Sequence, residues 1–306
     1  MLDVIVIGAG PGGLQAALTL GRSRRSTLLL DAGPGRNEPA HEVHNFLSRE
    51  GAGPEELRAI GLRELAAYPT VEVRRAEAVA AISQEGGYTV RLSDGTAESA
   101  RRLVLATGVV DVLPDIEGLA PLWGRTAVHC PYCHGWEVRD RPFAVLALRP
   151  QDAYFAAHLT RWSADVVLCL DGKDELPEDQ RKLLASTNVQ VRPEPVVRLE
   201  GKGSELQRMV FESGPVLERG ALFLKPPTKQ RSDLPRLLGC DILDDDCVQV
   251  DNFARTAVRG VYAVGDMARR PEIPIATPQV ALAAAEGATA AVAIDTELVY
   301  GKLPWE

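Results

Sequence analysis

Residues 2–20 read LDVIVIGAGPGGLQAALTL, and this run predicts the architecture of the chain. A short segment rich in Val and Ile leads into a glycine-rich turn, and an apolar pattern typical of a helix follows. Strand, turn and helix in this order favour a dinucleotide-binding unit. Gly8 makes the tight turn, Gly10 lets the backbone approach a pyrophosphate, and Gly13 packs the helix on the strand. The helix N-terminus then faces the phosphates with its unpaired N–H groups.

A second predicted strand, Ser26–Leu30, ends in Asp31. An acidic residue there accepts hydrogen bonds from ribose hydroxyls and repels a 2′-phosphate, which indicates a dinucleotide of the FAD or NAD type. Residues 33–45 (GPGRNEPAHEVHN) are rich in Gly and Pro, which predicts a loop next to the nucleotide. Its candidate hydrogen-bonding residues are Arg36, Asn37 and Asn45. His41 and His44 are as readily ordinary loop residues.

Later parts of the chain continue the same nucleotide domain. Leu103–Ala106 is predicted to be a buried strand. The block 260–266, GVYAVGD, predicts another strand, with Asp266 at the crevice where strand carboxyl ends meet. An alanine-rich helix is predicted at Pro278–Glu297, and its small side chains permit close packing.

Residues 129–137, HCPYCHGWE, carry Cys130 and Cys133 with two residues between them. Such a pair forms an easily reversed disulfide, and a neighbouring base such as His134 lowers the thiolate pKa that controls reactivity. The same spacing makes half of a zinc site, but zinc needs a second pair of Cys or His ligands. The sequence offers no such pair, so redox chemistry is favoured and no metal is expected. The other cysteines are most simply buried apolar residues: Cys169, Cys240 and Cys247.

Composition limits the possible functional classes. The chain has 306 residues, 45% of them hydrophobic, so it can bury a large core and divide into two domains. A net charge of -8 opposes a nucleic-acid surface, because phosphate neutralisation needs clustered Lys and Arg. The sequence shows neither an apolar run of membrane-spanning length nor a signal peptide. We therefore expect a cytoplasmic protein without nucleic-acid or membrane partners, in which a CxxC disulfide is catalytic.

Several motifs occur together: GAGPGG at 8–13, Asp31, LATG at 105–108, VYAVGD at 261–266, and the CxxC between the two nucleotide halves. The combination resembles the low-molecular-weight thioredoxin reductase family of FAD flavoproteins over essentially the whole chain. The resemblance implies an α/β fold of two Rossmann-like, three-layer ββα domains, and a homodimer. It implies an FAD-binding domain made from 1–112 and 229–306, interrupted by an inserted, degenerate NAD(P)H-type domain, 113–228, that carries the cysteine pair.

The same resemblance implies residue roles. Matched position by position, the residues expected to contact FAD are Gly8, Gly10, Gly12, Gly13, Asp31, Arg36, Asn37, Asn45, Thr107, Gly108, Asp266, Gln279 and Val280. The backbone near Val79 is expected to meet the adenine. In the family, an outer thiol exchanges with the substrate and an inner thiol lies nearer the isoalloxazine, and these roles fall on Cys130 and Cys133.

The inserted domain departs from the family at its own nucleotide site. In thioredoxin reductases a strand and a GxGxxA/G turn cradle the NADPH pyrophosphate, whereas here Pro142–Leu146 runs into ALRPQD, residues 147–152, without a glycine. Side chains then occupy the space of the pyrophosphate, and Asp152 adds charge repulsion. The next strand leads into Asp171, where the family has a basic cluster. A missing NADPH site is thus favoured over a divergent working one. A solvated helix start is favoured over a pocket lining for Arg149, Asp152 and Tyr154.

If NADPH does not reduce the flavin, electrons must enter through thiols. CPYCHG, with His134 where reductases usually have Asp, resembles the thioredoxin reductase-like dithiol oxidases that close disulfides in small natural products such as gliotoxin and holomycin. This resemblance implies an enzyme of antibiotic biosynthesis that oxidises a small-molecule dithiol, with O2 as electron acceptor and H2O2 as product. His134 is the expected general base and His129 the second candidate. Tyr132 and Trp136 are expected either to wall the substrate or to pack against the flavin domain.

Two other functions stay open. A disulfide reductase fed by ferredoxin or another non-NADPH donor would reduce thioredoxin and would not turn over oxygen with small dithiols. A non-catalytic flavin redox sensor would lose no turnover when Cys130 and Cys133 are changed to Ser.

Overall fold

The computed structural model describes residues 1–173 and 176–304, and it shows a mixed α/β fold built on parallel sheets. Two compact units share the chain. Unit 1 comprises Met1–Arg36, Phe46–Asp111 and Thr228–Glu306, and unit 2 comprises Asn37–Asn45 and Val112–Pro227. The predicted α/β class is confirmed.

Both units are built from short strands and helices. Unit 1 begins with β1 (Leu2–Ile7), α1 (Pro11–Arg22), β2 (Thr27–Asp31), α2 (Pro54–Leu65), β3 (Val71–Arg75), β4 (Ala78–Gln84), β5 (Gly87–Leu92), β6 (Ala97–Leu105) and β7 (Val109–Asp111). Unit 2 contributes β8 (Ala127–Val128), α3 (Pro131–His134), β9 (Phe143–Leu146), α4 (Asp152–Leu159), β10 (Val166–Cys169), α5 (Glu178–Ser186), β11 (Gln190–Arg192), β12 (Val196–Lys202), β13 (Glu205–Phe211), β14 (Leu217–Glu218) and β15 (Ala221–Phe223). Unit 1 resumes with β16 (Thr228–Gln230), α6 (Leu234–Leu238), β17 (Val248–Gln249), β18 (Val261–Ala263), β19 (Ala268–Arg269) and α7 (Val280–Tyr300).

The main sheet of unit 1 has the strand order β3-β2-β1-β6-β5-β4, and β18 also pairs with β6. The strands β3, β2, β1, β6 and β18 run parallel, whereas β5 and β4 extend the sheet in antiparallel fashion. The register places Ile7 beside Leu30 and Leu105. The glycine turn, Asp31 and Thr107 therefore follow strands that end at one edge of the sheet.

Helices α1 and α7 pack closely against each other in unit 1. A Cβ added to Gly287 of α7 would lie 2.1 Å from the carbonyl oxygen of Gly12, so this crossing has no room for a side chain. Ala16, Ala290 and Ala291 are fully buried in the same cluster. The predicted close packing of the alanine-rich helix is confirmed, and it holds the glycine turn at the start of α1 against the core.

The main sheet of unit 2 is parallel, in the order β11-β10-β9-β15-β8, and a separate antiparallel sheet contains β12, β13 and β14. Its core contains the rings of Phe143 and Phe223, with centroids 4.9 Å apart. Strand β9 is the point at which the order reverses, since β10 lies on one side and β15 on the other. In open parallel sheets, ligands bind beyond the carboxyl end of such a strand.

Two element boundaries differ from the sequence prediction. The strand predicted at Leu103–Ala106 begins at Ala97 and ends at Leu105, because its polar first half pairs antiparallel with β5. The helix predicted at Pro278–Glu297 begins at Val280, after an extended Gln279, and continues to Tyr300. Among the residues that the structure describes, no helix combines the length and the apolar character needed to cross a membrane.

Candidate active site

The glycine turn of unit 1 combines close backbone contacts with one open position. Gly8 has a φ of +111°, and a Cβ there would lie 2.2 Å from the Ala106 carbonyl oxygen. A Cβ on Gly13 would lie 1.8 Å from the Gly8 carbonyl oxygen. At Gly10, an added Cβ would meet no atom within 4 Å, and α1 begins at the next residue. The turn is therefore open at a helix N-terminus, which fits the pyrophosphate of FAD.

Asp31 lies at the end of β2 and is buried, with 6% of its surface exposed. Its Oδ1 accepts the Gly33 N–H at 3.0 Å, and its Oδ2 pairs with the Arg58 guanidinium. A carboxylate has about four acceptor positions, so capacity remains for ribose hydroxyls. The sequence carries no local signal for Arg58, because only the fold brings α2 to the end of β2.

Arg36 and Asp266, two of the predicted cofactor contacts, are ion-paired with each other. The distance from Arg36 Nη1 to Asp266 Oδ2 is 3.0 Å, and Arg36 also holds Asp111 through Nε and Nη2 at 3.0 and 2.6 Å. The side chains of Arg36 and Asp111 are 15% and 7% exposed, so water screens this pairing only weakly. The guanidinium fork thus fixes the position of Asp266. Asp111 was missed by the sequence analysis.

The remaining predicted FAD contacts lie at separate places. The residues that follow the sheet edge or start α7 in unit 1 are Thr107, Gly108, Gln279 and Val280. Thr107 Oγ1 donates to Met267 Sδ at 3.3 Å. Gly12 packs against Val264 and Ala283, and Val79 is 49% exposed on β4. Asn37 and Asn45 group with unit 2. Their predicted roles at the cofactor stay predictions.

The cysteine pair of unit 2 lies at the short helix α3. Cys130 is its N-cap residue, and Cys130 and Cys133 form a disulfide with their Cα atoms 5.3 Å apart. The backbone N–H groups of Cys133 and His134 both donate to the Cys130 carbonyl oxygen, at 3.3 and 3.2 Å. Cys130 is 9% exposed and Cys133 is somewhat more accessible. The turn thus holds the two sulfur atoms in position for reversible exchange.

His134 follows the pair directly, and both of its ring nitrogens are buried without a hydrogen-bond partner among the described residues. Burial, and to a lesser extent the nearby His44, lowers the pKa of His134 to about 4. The ring is therefore neutral at pH 7 and has two unused polar atoms. An unsatisfied buried polar atom is costly, so both ring nitrogens keep capacity for a hydrogen bond that the described residues do not supply.

His44 belongs to the same unit as His134, and sequence reasoning missed this neighbour. Its Nε2 lies 3.3 Å from Glu42 Oε2 and 3.6 Å from Glu137 Oε1. The loop pattern around His44 gave no sign of a position near the cysteine pair, because the two segments are far apart in sequence. His129, the second candidate base, has its ring centroid 5.9 Å from that of Trp123.

Aromatic side chains flank the cysteine pair within unit 2. Tyr132 is 56% exposed, its hydroxyl lies 3.1 Å from His158 Nε2, and its ring meets Trp162 edge-on at 5.7 Å. Trp136 is 66% exposed and stacks on the Arg139 guanidinium at 4.0 Å. Both rings are held by neighbours while leaving large apolar surfaces for a ligand.

The loop between β9 and α4 does not fit NADPH. Asp152 Oδ2 accepts the backbone N–H groups of Leu148 and Arg149, each at 2.9 Å. Oδ1 accepts the Arg149 side chain from Nε and Nη2, at 3.1 and 2.7 Å. Asp152 is 0% exposed. The expectation that it lies at a solvated helix start is therefore wrong, because its carboxylate turns back into the loop. Tyr154 does lie at the surface, where its hydroxyl donates to Asp179.

The second predicted departure, at Asp171, is also an internal contact. Asp171 Oδ1 accepts the Val196 N–H at 2.8 Å, beyond the end of β10. A carboxylate at this place repels a 2′-phosphate. Carboxylates of the protein itself thus occupy the loops after β9 and after β10 in unit 2.

Comparison with known proteins assigns the family. The model of the pyridine nucleotide-disulphide oxidoreductase family matches residues 2–288. The chain belongs to this family. It is 32% identical over 280 residues to thioredoxin reductase tcpT of Claviceps purpurea, which covers 87% of this chain and 86% of that protein.

Two crystal structures are similar to this pyridine nucleotide-disulphide oxidoreductase over nearly its whole length. The structure of HlmI has a TM-score of 0.89 and 39% identity, covering 98% of this chain and 93% of HlmI. The oxidoreductase from Agrobacterium tumefaciens has a TM-score of 0.91 and 34% identity, with 98% and 99% covered. The predicted thioredoxin reductase-like family is confirmed. The protein is a flavin oxidoreductase that acts on sulfur groups, and its cofactor is FAD.

We expect Gly10→Ala to reduce the FAD content of the purified protein. The added methyl group meets no protein atom but fills the side of the turn that faces the pyrophosphate. The visible absorbance of the flavin relative to protein measures the effect, and the melting temperature of the apoprotein should not change. Gly61→Ala is the matched control, because its Cβ would meet only the flexible end of Leu14. Full FAD content in Gly10→Ala would contradict the placement.

We expect the His134 ring to stay neutral as the pH falls from 8 to about 5. Because its pKa is lowered to about 4, protonation begins only below that range, whereas an exposed histidine titrates near 6.5. Histidine-selective NMR of the ring C–H signals measures this, with His134→Gln used to assign the resonance. A titration midpoint near 6.5 for His134 would show that the ring is not buried as described.

Proposed function

We propose that this protein is an FAD-dependent dithiol oxidase that closes an intramolecular disulfide in a small-molecule dithiol. The observation that carries the proposal is the Cys130–Cys133 disulfide beside a buried, neutral His134, in a unit whose nucleotide loop is closed by Asp152. A member of this family that lacks an NADPH site needs another electron source. Thiols that exchange with the cysteine pair are such a source.

The proposed reaction begins with a substrate thiolate that attacks Cys130 Sγ and forms a mixed disulfide, while Cys133 leaves as a thiolate. The second substrate thiolate then attacks the substrate sulfur in the mixed disulfide. A substrate disulfide forms and Cys130 leaves as a thiolate. The substrate has lost two electrons and two protons, and the cysteine pair has gained the two electrons.

His134 is the proposed acceptor for a substrate proton. A neutral ring with free nitrogens can accept a proton from an S–H group without first losing one of its own. A base whose pKa is about 4 is weak at rest, but a thiolate beside the ring favours its protonated form. Proton transfer and thiolate formation would therefore assist each other only while the substrate is present.

FAD, when bound, would accept the electron pair as Cys130 and Cys133 re-form their disulfide, and molecular oxygen would take that pair and give hydrogen peroxide. The glycine turn and Asp31 would bind its pyrophosphate and ribose, and the Arg36–Asp266 pair would hold Asp266 in a fixed position. The overall balance is one dithiol and one O2 converted to one cyclic disulfide and one H2O2.

The substrate surface supports a compact molecule. Tyr132 and Trp136 offer large exposed rings beside the pair, and neither carries a charge. Such rings favour an apolar ring skeleton that carries two neighbouring thiols. The resemblance of CPYCHG to the natural-product dithiol oxidases agrees with this substrate class and with a role in antibiotic biosynthesis.

In aerobic solution we expect the protein to oxidise dithiothreitol. Each mole of dithiothreitol oxidised should consume one mole of O2 and produce one mole of H2O2. Cys133→Ser should abolish this turnover because it removes the leaving thiolate, while Cys240→Ser, which changes a buried cysteine of unit 1, should retain it. An oxygen electrode with a peroxide assay measures both products.

Two outcomes would contradict the oxidase proposal. Reduction of thioredoxin with reduced ferredoxin, without O2 uptake on dithiols, would assign the protein as a reductase. Turnover that survives both Cys130→Ser and Cys133→Ser would place the chemistry elsewhere in the protein.

A further inference from the structure

The loop between β9 and α4 in unit 2 is an anion site that is filled by the protein's own carboxylate. Asp152 takes up four hydrogen bonds, two from backbone N–H groups and two from the guanidinium of Arg149. With 0% exposure, the carboxylate lies away from solvent. Charge-assisted bonds to backbone N–H groups and to a guanidinium are the interactions that proteins use to bind phosphates.

The loop also has the position of a nucleotide site. It follows β9, the strand at which the sheet order reverses between β10 and β15. In doubly wound sheets the turn after such a strand receives the pyrophosphate, and α4 begins here with its N-terminus towards the loop. The position in the fold and the hydrogen-bond donors thus both indicate an anion site in the loop between β9 and α4.

Positive charge from a second side chain adds to this place. The Lys225 ammonium lies 4.3 Å from the Phe155 ring centroid. It also interacts electrostatically with Asp152 and Arg149. Burial and then Arg149 lower the pKa of Lys225, while Asp152 raises it. The carboxylate therefore also offsets the repulsion between two neighbouring cations.

We propose that Asp152 is an internal anion that takes the place of a dinucleotide pyrophosphate and so determines that unit 2 does not accept NADPH. The assignment of dithiols as electron source rests on the proposed oxidase function, whereas the role of Asp152 in filling the loop does not. Asp152 acts by position: it uses the N–H donors and the guanidinium that an incoming phosphate would need, and it neutralises the Arg149 charge that would attract that phosphate.

A pyrophosphate could enter only if Asp152 moved out. The displaced carboxylate would then lie near the arriving negative charges and would lose its own four hydrogen bonds. Asp171, which accepts the Val196 N–H after β10, repels a 2′-phosphate independently. The two carboxylates act against different parts of the same nucleotide.

The proposal predicts that Asp152→Ala turns the filled loop into an empty anion site. The variant should melt several degrees below the wild type, and formate at about 0.1 M should recover much of this loss by occupying the vacated position. Inorganic pyrophosphate tests the larger anion in the same way. Sodium chloride at equal ionic strength controls for general salt effects, and holoenzyme is used throughout.

Two variants make the test specific. Asp152→Asn keeps the size but not the charge of the side chain, so it should be destabilised without rescue by formate. Asp179→Ala removes a surface carboxylate that accepts a hydrogen bond from Tyr154 of α4. This variant should show neither the destabilisation nor the rescue by formate. If Asp152→Ala does not accumulate as folded protein, Asp152→Ser replaces it, since it also leaves room for formate.

The role of Asp152 is overturned if formate stabilises wild type and Asp152→Ala equally. It is also overturned if Asp152→Ala and Asp152→Asn both melt at the wild-type temperature. Binding of NADPH to wild-type unit 2, seen as enhanced fluorescence of the bound nicotinamide that Asp171→Ala strengthens, would also overturn it. Neither readout depends on dithiol turnover. The oxidase proposal therefore fails or holds separately, on oxygen uptake.

Discussion

Parallel strands end at a common edge of their sheet, and a helix that starts there presents unpaired N–H groups to whatever anion is present. Both units of this protein are built on that constraint. In unit 1 the position is kept open by Gly10, whose missing side chain leaves free space before α1. In unit 2 the loop before α4 is closed by Asp152, the first residue of that helix, whose carboxylate accepts the backbone N–H groups of Leu148 and Arg149 in the loop. One architecture thus gives a cofactor site in one unit and a closed site in the other.

The closed loop bears on which electron donor the cysteine pair uses. A disulfide in this family can pass electrons either way, and the direction depends on which donor reaches the protein. With an internal carboxylate at the nucleotide position, we propose that thiols are the electron donor. The buried neutral His134 suits that direction, because it can accept a proton from a thiol and has no partner of its own among the described residues.

Much of the fold could be read from the sequence because its signals are local. The strand, turn and helix of residues 2–20 follow hydrophobic periodicity and glycine placement, and the disulfide of Cys130 and Cys133 follows their spacing. The proximity of His44 to Glu137 could not be read, because it depends on distant segments meeting. Arg58 at Asp31 is of the same kind.

Asp152 is a different case, since its contacts are local and the sequence still misled. A carboxylate in the first turn of a helix usually caps that helix or meets water, whereas this one reaches back to N–H groups three and four residues earlier. The absence of glycine in residues 147–152 predicted a lost nucleotide site. The sequence did not show that the Asp152 carboxylate turns back to the loop N–H groups, because the direction of a side chain is set by its buried surroundings.

Rapid anaerobic mixing measures the direction of electron flow between thiols and flavin. The oxidised yellow protein is mixed in separate experiments with dithiothreitol and with NADPH, and the flavin absorbance is followed. We expect fast, stoichiometric bleaching by the dithiol and none by NADPH on the same time scale. Fast bleaching by NADPH would contradict it.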